Sequence, residues 1–347
     1  MSEIDPIYKE LAAILRAGDS KYMPRILEKL ASVEQARIVL ELPAPSEEIA
    51  KKLNLDKETV DKHLQELTEK GLLVPTRKGL QMIRSFLQFH DTQSNPKFDE
   101  SLGDEYFELW DKLQYEEMFD TLVELLAVGE RPTWRIIPRW KSIKDIPGVL
   151  PWEDVRGIFK AQETIALTHC CCKRIHRKRE CGTPDEVCIS LGRTAQYNIN
   201  RGAAKKLTVK EALDVVTEMD KYQVVNLTTN QKEVNQVLCN CHWCCCDVLL
   251  SMFKQGKYEF TQGIAKSRFE TTVDVEKCIG CKTCVTRCQF GAAQMKYYPE
   301  LGKERAYIDT EKCMGCGCCV ISCSAGARAM KLVRPPEHIP DKVGGIY

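Results

Sequence analysis

The sequence predicts an α+β protein of several domains, and three observations support this prediction. The chain has 347 residues, which is more than one compact domain usually holds. Its nineteen cysteines are confined to the stretches 170–188, 239–246 and 278–323. Helical periodicity followed by a short pair of strands marks the N-terminal part. We therefore expect domains at 1–95, 169–269 and 270–335, with a connecting region at 96–168 and a tail at 336–347.

The first domain is predicted to contain three helices and then two strands. These elements are expected at 33–41, 46–53, 57–70, 72–74 and 80–83. Their order resembles that of a winged helix-turn-helix. The exposed face of the third helix carries four acids and three lysines, whereas a helix that reads DNA needs cations near the phosphates. DNA binding is therefore not favoured, and the domain is expected to serve docking or dimerisation.

The connecting region is predicted to be helical at first and then rich in proline and tryptophan. Residues 101–128 are expected to form one or two amphipathic helices, with a short apolar face at 122–128. The stretch 132–151 contains Trp134 and Trp140 and is expected to be an irregular connection. Because an aromatic-rich connector usually packs across a domain interface, we assign it no chemistry.

Composition and charge exclude several functional classes. Lysine and arginine number 50 against 49 acidic residues, so the net charge is +1 and no global field favours nucleic acid or an anionic membrane. The sequence has no apolar run approaching the roughly eighteen residues that span a bilayer. The N-terminus is charged and lacks a signal pattern, so a cytoplasmic protein is expected. In such a chain, clustered cysteines indicate metal ligands rather than disulfides.

The C-terminal cysteines repeat one spacing. The pattern C-x2-C-x2-C-x3-C begins at Cys278 and again at Cys313. Three thiolates on a tight loop can reach three corners of a cubane, whereas the fourth lies on a helix that turns away and serves the other cluster. Paired C-x2-C motifs also build zinc sites, but the third cysteine and the repeat argue against zinc here.

This part of the chain, about 270–333, resembles the bacterial dicluster ferredoxins. The resemblance implies two [4Fe-4S] clusters in a ferredoxin-like, duplicated βαβ fold. It assigns to the first cluster Cys278, Cys281, Cys284 and Cys323. It assigns to the second cluster Cys313, Cys316, Cys319 and Cys288. The family usually has proline after each fourth cysteine, whereas this chain has Gln289 and Ser324. Cys318 lies off the spacing and is expected to be a packed side chain.

Ten further cysteines form a central constellation, in a domain that is expected to be mostly helical. The pattern C-x-C-K with C-x6-C, then C-N-C and a cysteine triplet, resembles a group of anaerobe iron-sulfur proteins that also carry a ferredoxin module. The resemblance covers about 135–333 and implies redox work without naming a reaction. The candidate ligands are Cys170, Cys172, Cys181, Cys188, Cys239, Cys241, Cys244, Cys245 and Cys246.

At least one further iron-sulfur cluster is the preferred interpretation of these central cysteines. They could hold two more cubanes, one cubane, or one larger cluster of unusual nuclearity. Redox-active disulfides or a zinc site are the alternatives. His169 and His242 are expected to donate hydrogen bonds to a cluster rather than to ligate it.

A basic run at 173–179, with five fixed cations, lies between two of the candidate ligands. Runs of this kind are usually solvated loops. Beside a cluster, the cations could instead raise its reduction potential, attract an acidic redox partner or hold a small anionic substrate.

The predicted function is that of an iron-sulfur electron-transfer protein or redox subunit. Electrons would pass between the two [4Fe-4S] clusters and the central cluster, with a redox partner protein or an oxidoreductase complex at one end. One alternative is a reductase whose central cluster binds a small substrate. Another is a redox-sensing winged-helix transcription regulator.

Overall fold

The computed structural model describes residues 3–342 apart from 120, 121, 123–130, 180, 235 and 256–259. It contains an N-terminal helical domain, a central domain with a seven-stranded sheet, and a C-terminal domain with two two-stranded sheets. The mixed content of helix and sheet agrees with the predicted α+β class. In this described part of the chain, no helix has both the length and the apolar character needed to cross a membrane.

Residues 3–95, all of them described, form six helices and a β-hairpin. The helices are α1 Pro6–Ile14, α2 Met23–Leu30, α3 Val33–Leu40, α4 Ser46–Leu53, α5 Lys57–Glu69 and α6 Phe86–Asp91. The hairpin consists of β1 Leu73–Thr76 and β2 Gly79–Met82. Ser32 caps α3 in a capping box with Gln35, and Asp56 caps α5. The predicted helices and strand pair are confirmed, while the winged-helix resemblance remains a prediction.

A long helix, α7 Asp99–Leu113, follows this domain and continues through a π-turn at Gln114–Met118. At Gly103 the backbone φ is 68°, which breaks the helical path and which glycine adopts readily. The predicted helical structure at 101–128 is confirmed as far as residue 119. Of the predicted apolar face at 122–128, only Leu122 lies within the described residues, and it is buried.

The framework of the central domain is a seven-stranded sheet. In spatial order its strands are β6 Ala204–Leu207, β4 Ile165–His169, β5 Glu186–Leu191, β8 Val237–Cys241, β7 Val225–Thr229, β3 Trp134–Ile137 and β9 Ile264–Ala265. The prediction of a mostly helical domain is therefore wrong. Strands such as β4 and β7 are buried along almost their whole length, so they lack the alternating polarity that reveals a half-exposed strand.

The helices of the central domain lie between these strands in sequence. They are α8 Trp140–Ile143, α9 Val155–Lys160, α10 Cys171–Ile175, α11 Gly192–Asn200, α12 Val209–Glu218, α13 Asp247–Gln255 and α14 Phe260–Gly263. The stretch 132–151 is not an irregular connection, because β3 within it pairs with both β7 and β9. The predicted division between 168 and 169 falls inside β4, so the connecting region and the cysteine-rich domain share one sheet.

The C-terminal domain consists of two strand pairs and two short helices. Strands β10 Phe269–Val273 and β13 Arg328–Leu332 pair antiparallel, as do β11 Ala293–Tyr298 and β12 Lys303–Ile308. The helices α15 Thr283–Arg287 and α16 Cys318–Ile321 follow the two cysteine loops. This duplicated order agrees with the predicted ferredoxin-like domain. The predicted tail packs against the chain, since Ile339 is buried and the Lys232 amide donates to the Pro340 carbonyl at 3.0 Å.

Buried polar contacts join the N-terminal and central domains. The guanidinium of Arg201, just after α11, donates to the carbonyl oxygens of Glu69 at 3.1 Å and Thr92 at 2.8 Å. The Tyr197 hydroxyl donates to the Leu73 carbonyl at 2.9 Å. Because a buried guanidinium must be hydrogen-bonded, these contacts fix the hairpin end of the N-terminal domain beside α11.

Candidate metal centres

The first set of ferredoxin cysteines surrounds one small cavity. Its lining includes the four that the ferredoxin resemblance assigns to the first cluster, Cys278, Cys281, Cys284 and Cys323. Two backbone positions in the left-handed region, Gly280 with φ 72° and Lys282 with φ 63°, curl the loop that carries the first three. The fourth follows α16 and enters from the other half of the domain. The structure thus brings these four predicted ligands together.

The charges around this cavity suit an anionic cluster. Nη2 of Arg328 donates to Cys284 Sγ at 2.9 Å, and the Ala306 amide donates to Cys278 Sγ at 3.3 Å. Arg328 is buried, and its Nη1 has no hydrogen-bond partner among the described residues. A buried cation and N–H donors directed at thiolates stabilise a cluster and tune its potential. The residues present therefore fit a [4Fe-4S] cluster.

The second set of ferredoxin cysteines lies next to the central domain. Its members, all buried or half-buried, are Cys288, Cys313, Cys316 and Cys319. At Gly315 φ is 69°, and a Cβ atom there would lie 2.1 Å from the carbonyl oxygen of Phe269, so the loop requires glycine. The Arg139 amide donates to the Cys316 carbonyl at 2.9 Å. This hydrogen bond fastens the second cysteine loop to the central domain.

Two residues close to the ferredoxin cysteines also contact the central domain. Oε1 of Gln289, which stands where ferredoxins usually have proline, accepts a hydrogen bond from the Trp243 amide at 2.7 Å. Its Nε2 donates to the Cys241 carbonyl at 3.2 Å. Cys318 is buried, as predicted, and donates to the Val224 carbonyl at 3.3 Å. The departure from the ferredoxin pattern at 289 therefore has a structural role, because a proline could not make these contacts.

Six of the central cysteines form a closed ring of neighbouring thiols, which we call the thiol ring. In order, each thiol interacting with the next, they are Cys170, Cys172, Cys246, Cys241, Cys239 and Cys188. Strands β5 and β8 pair antiparallel with Ile189 opposite Leu238, which makes Cys188 and Cys239 cross-strand neighbours. Cys239 and Cys241 are two residues apart on β8, so both point to one face of the sheet.

Interactions between neighbouring thiols shift the cysteine pKa values in alternate directions around the thiol ring. The hydrogen bond from Cys172 lowers the pKa of Cys246 to about 5, and the one from Cys188 lowers the pKa of Cys239 to about 7. The pKa values of Cys172, Cys188 and Cys241 are raised, because each donates to its neighbours. Since thiolates are the form that binds metals, the thiol ring has the chemistry of a ligand set.

The thiol ring lies in the wall of a large cavity between the N-terminal domain and the central sheet. The cavity has a volume of about 590 Å³, and its wall includes eight of the ten central cysteines. The predicted cluster neighbour His169 also lines it, as do Val74 from the N-terminal hairpin and Tyr197 from α11. Cavities of several hundred Å³ can hold small organic ligands. The cavity therefore has room for a small ligand beside the cysteine side chains.

The remaining predicted ligands, Cys181, Cys244 and Cys245, form a separate group. Their Sγ atoms all lie within 4.8 Å of one another, and Cys245 Sγ donates to Cys181 Sγ at 3.4 Å. This hydrogen bond lowers the pKa of Cys181 to about 3. Nδ1 of His242 lies 2.9 Å from Cys244 Sγ. The cysteine triplet is therefore divided, because Cys246 belongs to the thiol ring whereas its two neighbours face Cys181.

The basic run at 173–179 is held by contacts within the chain, although Arg177 and Lys178 are exposed. Three of its cations pair with acids of α7, namely Arg174 with Asp99, Arg177 with Asp104 and Lys178 with Glu108. Lys173 is buried and donates to Thr183, and Arg179 donates to the Cys244 carbonyl at 2.8 Å. The cations are thus partnered within the chain, where they hold the loop that carries Cys181.

A buried charged group beside the thiol ring was missed by sequence reasoning. Asp247, the first residue of α13, pairs with His176 Nε2 at 2.8 Å and with His90 Nε2 at 2.6 Å. Burial favours neutral His176, but hydrogen bonds to Asp111 and Asp247 prevail and raise its pKa to about 9. Burial likewise opposes ionisation of Asp247, yet the two imidazoles hold its pKa well below the usual range. No sequence signal joins these residues, because each lies on a different element.

Comparison with known proteins agrees with the C-terminal site. Residues 277–327 match the family model of the 4Fe-4S dicluster domain, and this segment contains all eight predicted ferredoxin cysteines. No curated protein and no solved structure gives a significant match to the chain. The C-terminal part is therefore similar to dicluster ferredoxins and holds two [4Fe-4S] clusters, which gives the protein an iron-sulfur electron-transfer role.

Proposed function

We propose that the protein relays electrons between its two [4Fe-4S] clusters and a further iron-sulfur cluster held by the thiol ring. The main support for this proposal is the thiol ring, in which six cysteines from three stretches of the chain line one cavity. Six thiolates exceed the four that a single cubane uses. The thiol ring therefore has enough ligands for one cubane or for a larger cluster.

The three cofactor sites differ in their exposure to solvent. Cys281 of the first cluster is exposed, and the neighbouring Ile279 is 66% exposed. The cysteines of the second cluster and those of the thiol ring are buried or half-buried. An exposed cluster edge beside an apolar side chain suits the docking of a redox partner protein. We infer that electrons enter or leave the protein at the first cluster.

Gln289 connects the second cluster to the thiol ring. It follows Cys288, a second-cluster ligand by the ferredoxin resemblance, and its side chain donates to the backbone of the thiol-ring residue Cys241 at 3.2 Å. Because electron tunnelling weakens steeply with distance, a covalent and hydrogen-bonded path this short supports a relay from the second cluster to the central one.

Replacing Gln289 with leucine should slow electron transfer to the central cluster by roughly tenfold or more. The change removes the hydrogen bonds to Trp243 and Cys241 while keeping the side-chain size. Rapid mixing with a low-potential reductant, followed by freeze-quench EPR, measures the rate at which each cluster is reduced.

The matched control for this experiment is Gln294→Leu. The Gln294 side chain donates to the Gly291 carbonyl at 3.0 Å, within the ferredoxin-like domain itself. Its replacement should leave the rate unchanged. Equal rates in the two variants would contradict a relay through Gln289.

Anaerobic quantification of iron and acid-labile sulfide tests the proposed central cluster directly. Two cubanes account for about eight irons per chain. We expect a clear excess over this value, with matching sulfide and an additional EPR signal in the dithionite-reduced protein. A result of about eight irons would leave the thiol ring without a cluster, and the relay would then be wrong.

The cavity favours a second candidate function, a reductase whose central cluster binds a small substrate. Beside the cysteines, the wall carries apolar side chains such as Leu87 and Leu227 and polar ones such as Arg193 and Asn198. This mixture is typical of pockets for small organic molecules. A reductase would be reoxidised by its substrate alone, whereas an electron carrier would need a partner protein. Oxidation of the reduced protein by small molecules, followed by EPR, distinguishes the two.

The N-terminal domain supports docking better than DNA binding. Several lysines in or directly after α4 and α5 pair with carboxylates of the same helix, namely Lys51 with Glu47, Lys57 with Asp61 and Lys70 with Glu66. Cations that are already paired contribute less to phosphate binding. We therefore favour a docking or dimerisation role over transcription regulation.

A further inference from the structure

Outside the thiol ring, three cysteine sulfurs lie close together, with a histidine beside one of them. These residues are Cys181, His242, Cys244 and Cys245. The three Sγ atoms lie within 4.8 Å of one another, and the shortest sulfur separation that is measured, between Cys181 and Cys245, is 3.4 Å. Nδ1 of His242 is 2.9 Å from Cys244 Sγ. The three sulfurs therefore surround a shared centre, and the imidazole of His242 lies at its edge beside Cys244.

These separations suit a single metal ion rather than a cluster. Zinc–sulfur bonds of about 2.3 Å in a tetrahedron place the sulfurs about 3.8 Å apart. In a cubane each thiolate binds a different iron, so the sulfurs lie farther apart. The ferredoxin-like domain provides an internal comparison. All eight of its cluster cysteines are described, and no three of them come within 4.8 Å of one another.

We propose that Cys181, His242, Cys244 and Cys245 bind one zinc ion in a structural site. Three thiolates and one imidazole complete the four-coordinate shell that structural zinc prefers. The donors come from two loops, since Cys181 follows the basic run and the other three lie in the turn after β8. Arg179 already links these loops through the Cys244 carbonyl. Zinc therefore fixes the turn from which Cys246 enters the thiol ring.

This site is independent of the proposed relay, because zinc and iron-sulfur content are measured separately. Zinc K-edge X-ray absorption of the anaerobically purified full-length protein tests it. We expect about one zinc ion per chain, with about three sulfur neighbours at about 2.3 Å and one nitrogen at about 2.0 Å. Zinc surrounded only by oxygen and nitrogen would overturn the proposal. A zinc-free protein would do the same, whether its three cysteines are free thiols or joined in a disulfide.

Variants test the ligands one by one. Cys181→Ser and His242→Phe should lose most of the zinc while keeping the iron and sulfide content of the wild type. His242→Cys restores four donors and should retain the ion. Cys318→Ser alters a buried thiol outside the site and should also retain it. If Cys181→Ser loses iron and sulfide but not zinc, the three cysteines are cluster ligands and the zinc site is wrong.

Discussion

Replacing Cys172 with alanine should abolish the central cluster and leave both ferredoxin clusters in place. Cys172 lies in the thiol ring between Cys170 and Cys246, so its loss opens the ligand set. Six of the eight ferredoxin cysteines pack in a separate core of their own domain, so both ferredoxin clusters should keep their low-potential EPR signals. We expect the loss of about four irons or more per chain. Iron and sulfide analysis together with EPR of the reduced protein measures both effects.

The neighbouring residue offers a matched control. Cys171 lies beside Cys172 on α10 and hydrogen-bonds to it, but it makes no link in the thiol ring. Cys171→Ala should therefore keep the central cluster. Loss of that cluster from both variants would mean that the ligand set extends beyond the six cysteines. Loss of all iron from Cys172→Ala would mean that the ferredoxin-like domain does not hold its clusters independently.

The ferredoxin cysteines could be predicted from the sequence because their geometry is local. Each group of three lies on one loop, and the repeated spacing carries the information about the partner loop. The strand pairs and short helices around them follow the duplicated βαβ order that the ferredoxin resemblance implies. In contrast, the contacts of Gln289 could not be predicted, because they reach Trp243 and Cys241 in another domain.

The thiol ring could be predicted only as a set of candidates. Its members come from the end of β4, from α10, β5 and β8, and from the turn after β8, so their arrangement depends on strand register. The sheet itself was missed because strands such as β7 are buried throughout and give no alternating pattern. The spacing of Cys239 and Cys241 was the one local signal, since alternate residues of a strand share a face.

The basic run shows a similar limit of local reasoning. Its charges were visible in the sequence, but their partners on α7 lie about seventy residues earlier in the chain. Long-range pairing of this kind has no signature in a single sequence. The same holds for the carboxylate of Asp247, which lies between two histidines from distant elements.

Replacing Asp247 with alanine should cause a large loss of stability. The side chain is 4% exposed, and its carboxylate pairs with His90 at 2.6 Å and His176 at 2.8 Å. It also accepts a hydrogen bond from Gln114 Nε2 at 2.6 Å. Removing one partner of a buried ion pair costs about 3–5 kcal/mol, and here both buried histidines lose the carboxylate that they share. Anaerobic denaturant unfolding followed by circular dichroism measures the change.

The ion pair between Asp247 and His176 also predicts how the stability of the protein depends on pH. Because the pKa of His176 is raised to about 9 despite burial, its contribution is complete below its ordinary pKa of about 6.5 and is lost as pH rises through about 9. The pKa of Asp247 is lowered, so its contribution is present above the usual carboxyl range and is lost only in acid. We expect the wild type to lose stability between about pH 6.5 and 9, and Asp247→Ala to lose less, since His176 keeps only its hydrogen bond with Asp111.

Asp104→Ala is the control for both measurements. Asp104 is 76% exposed, and it pairs with Arg177, the neighbour of His176 in the basic run. Exposed ion pairs contribute little to the free energy of unfolding, so this variant should be as stable as the wild type. Since Asp247 follows Cys246, the iron and sulfide of Asp247→Ala must also be measured. If its central cluster is lost, His176→Gln breaks the same ion pair at a residue that is not adjacent to a thiol-ring cysteine in sequence. An Asp247→Ala protein with full iron content and unchanged stability would mean that the buried histidines do not need the carboxylate.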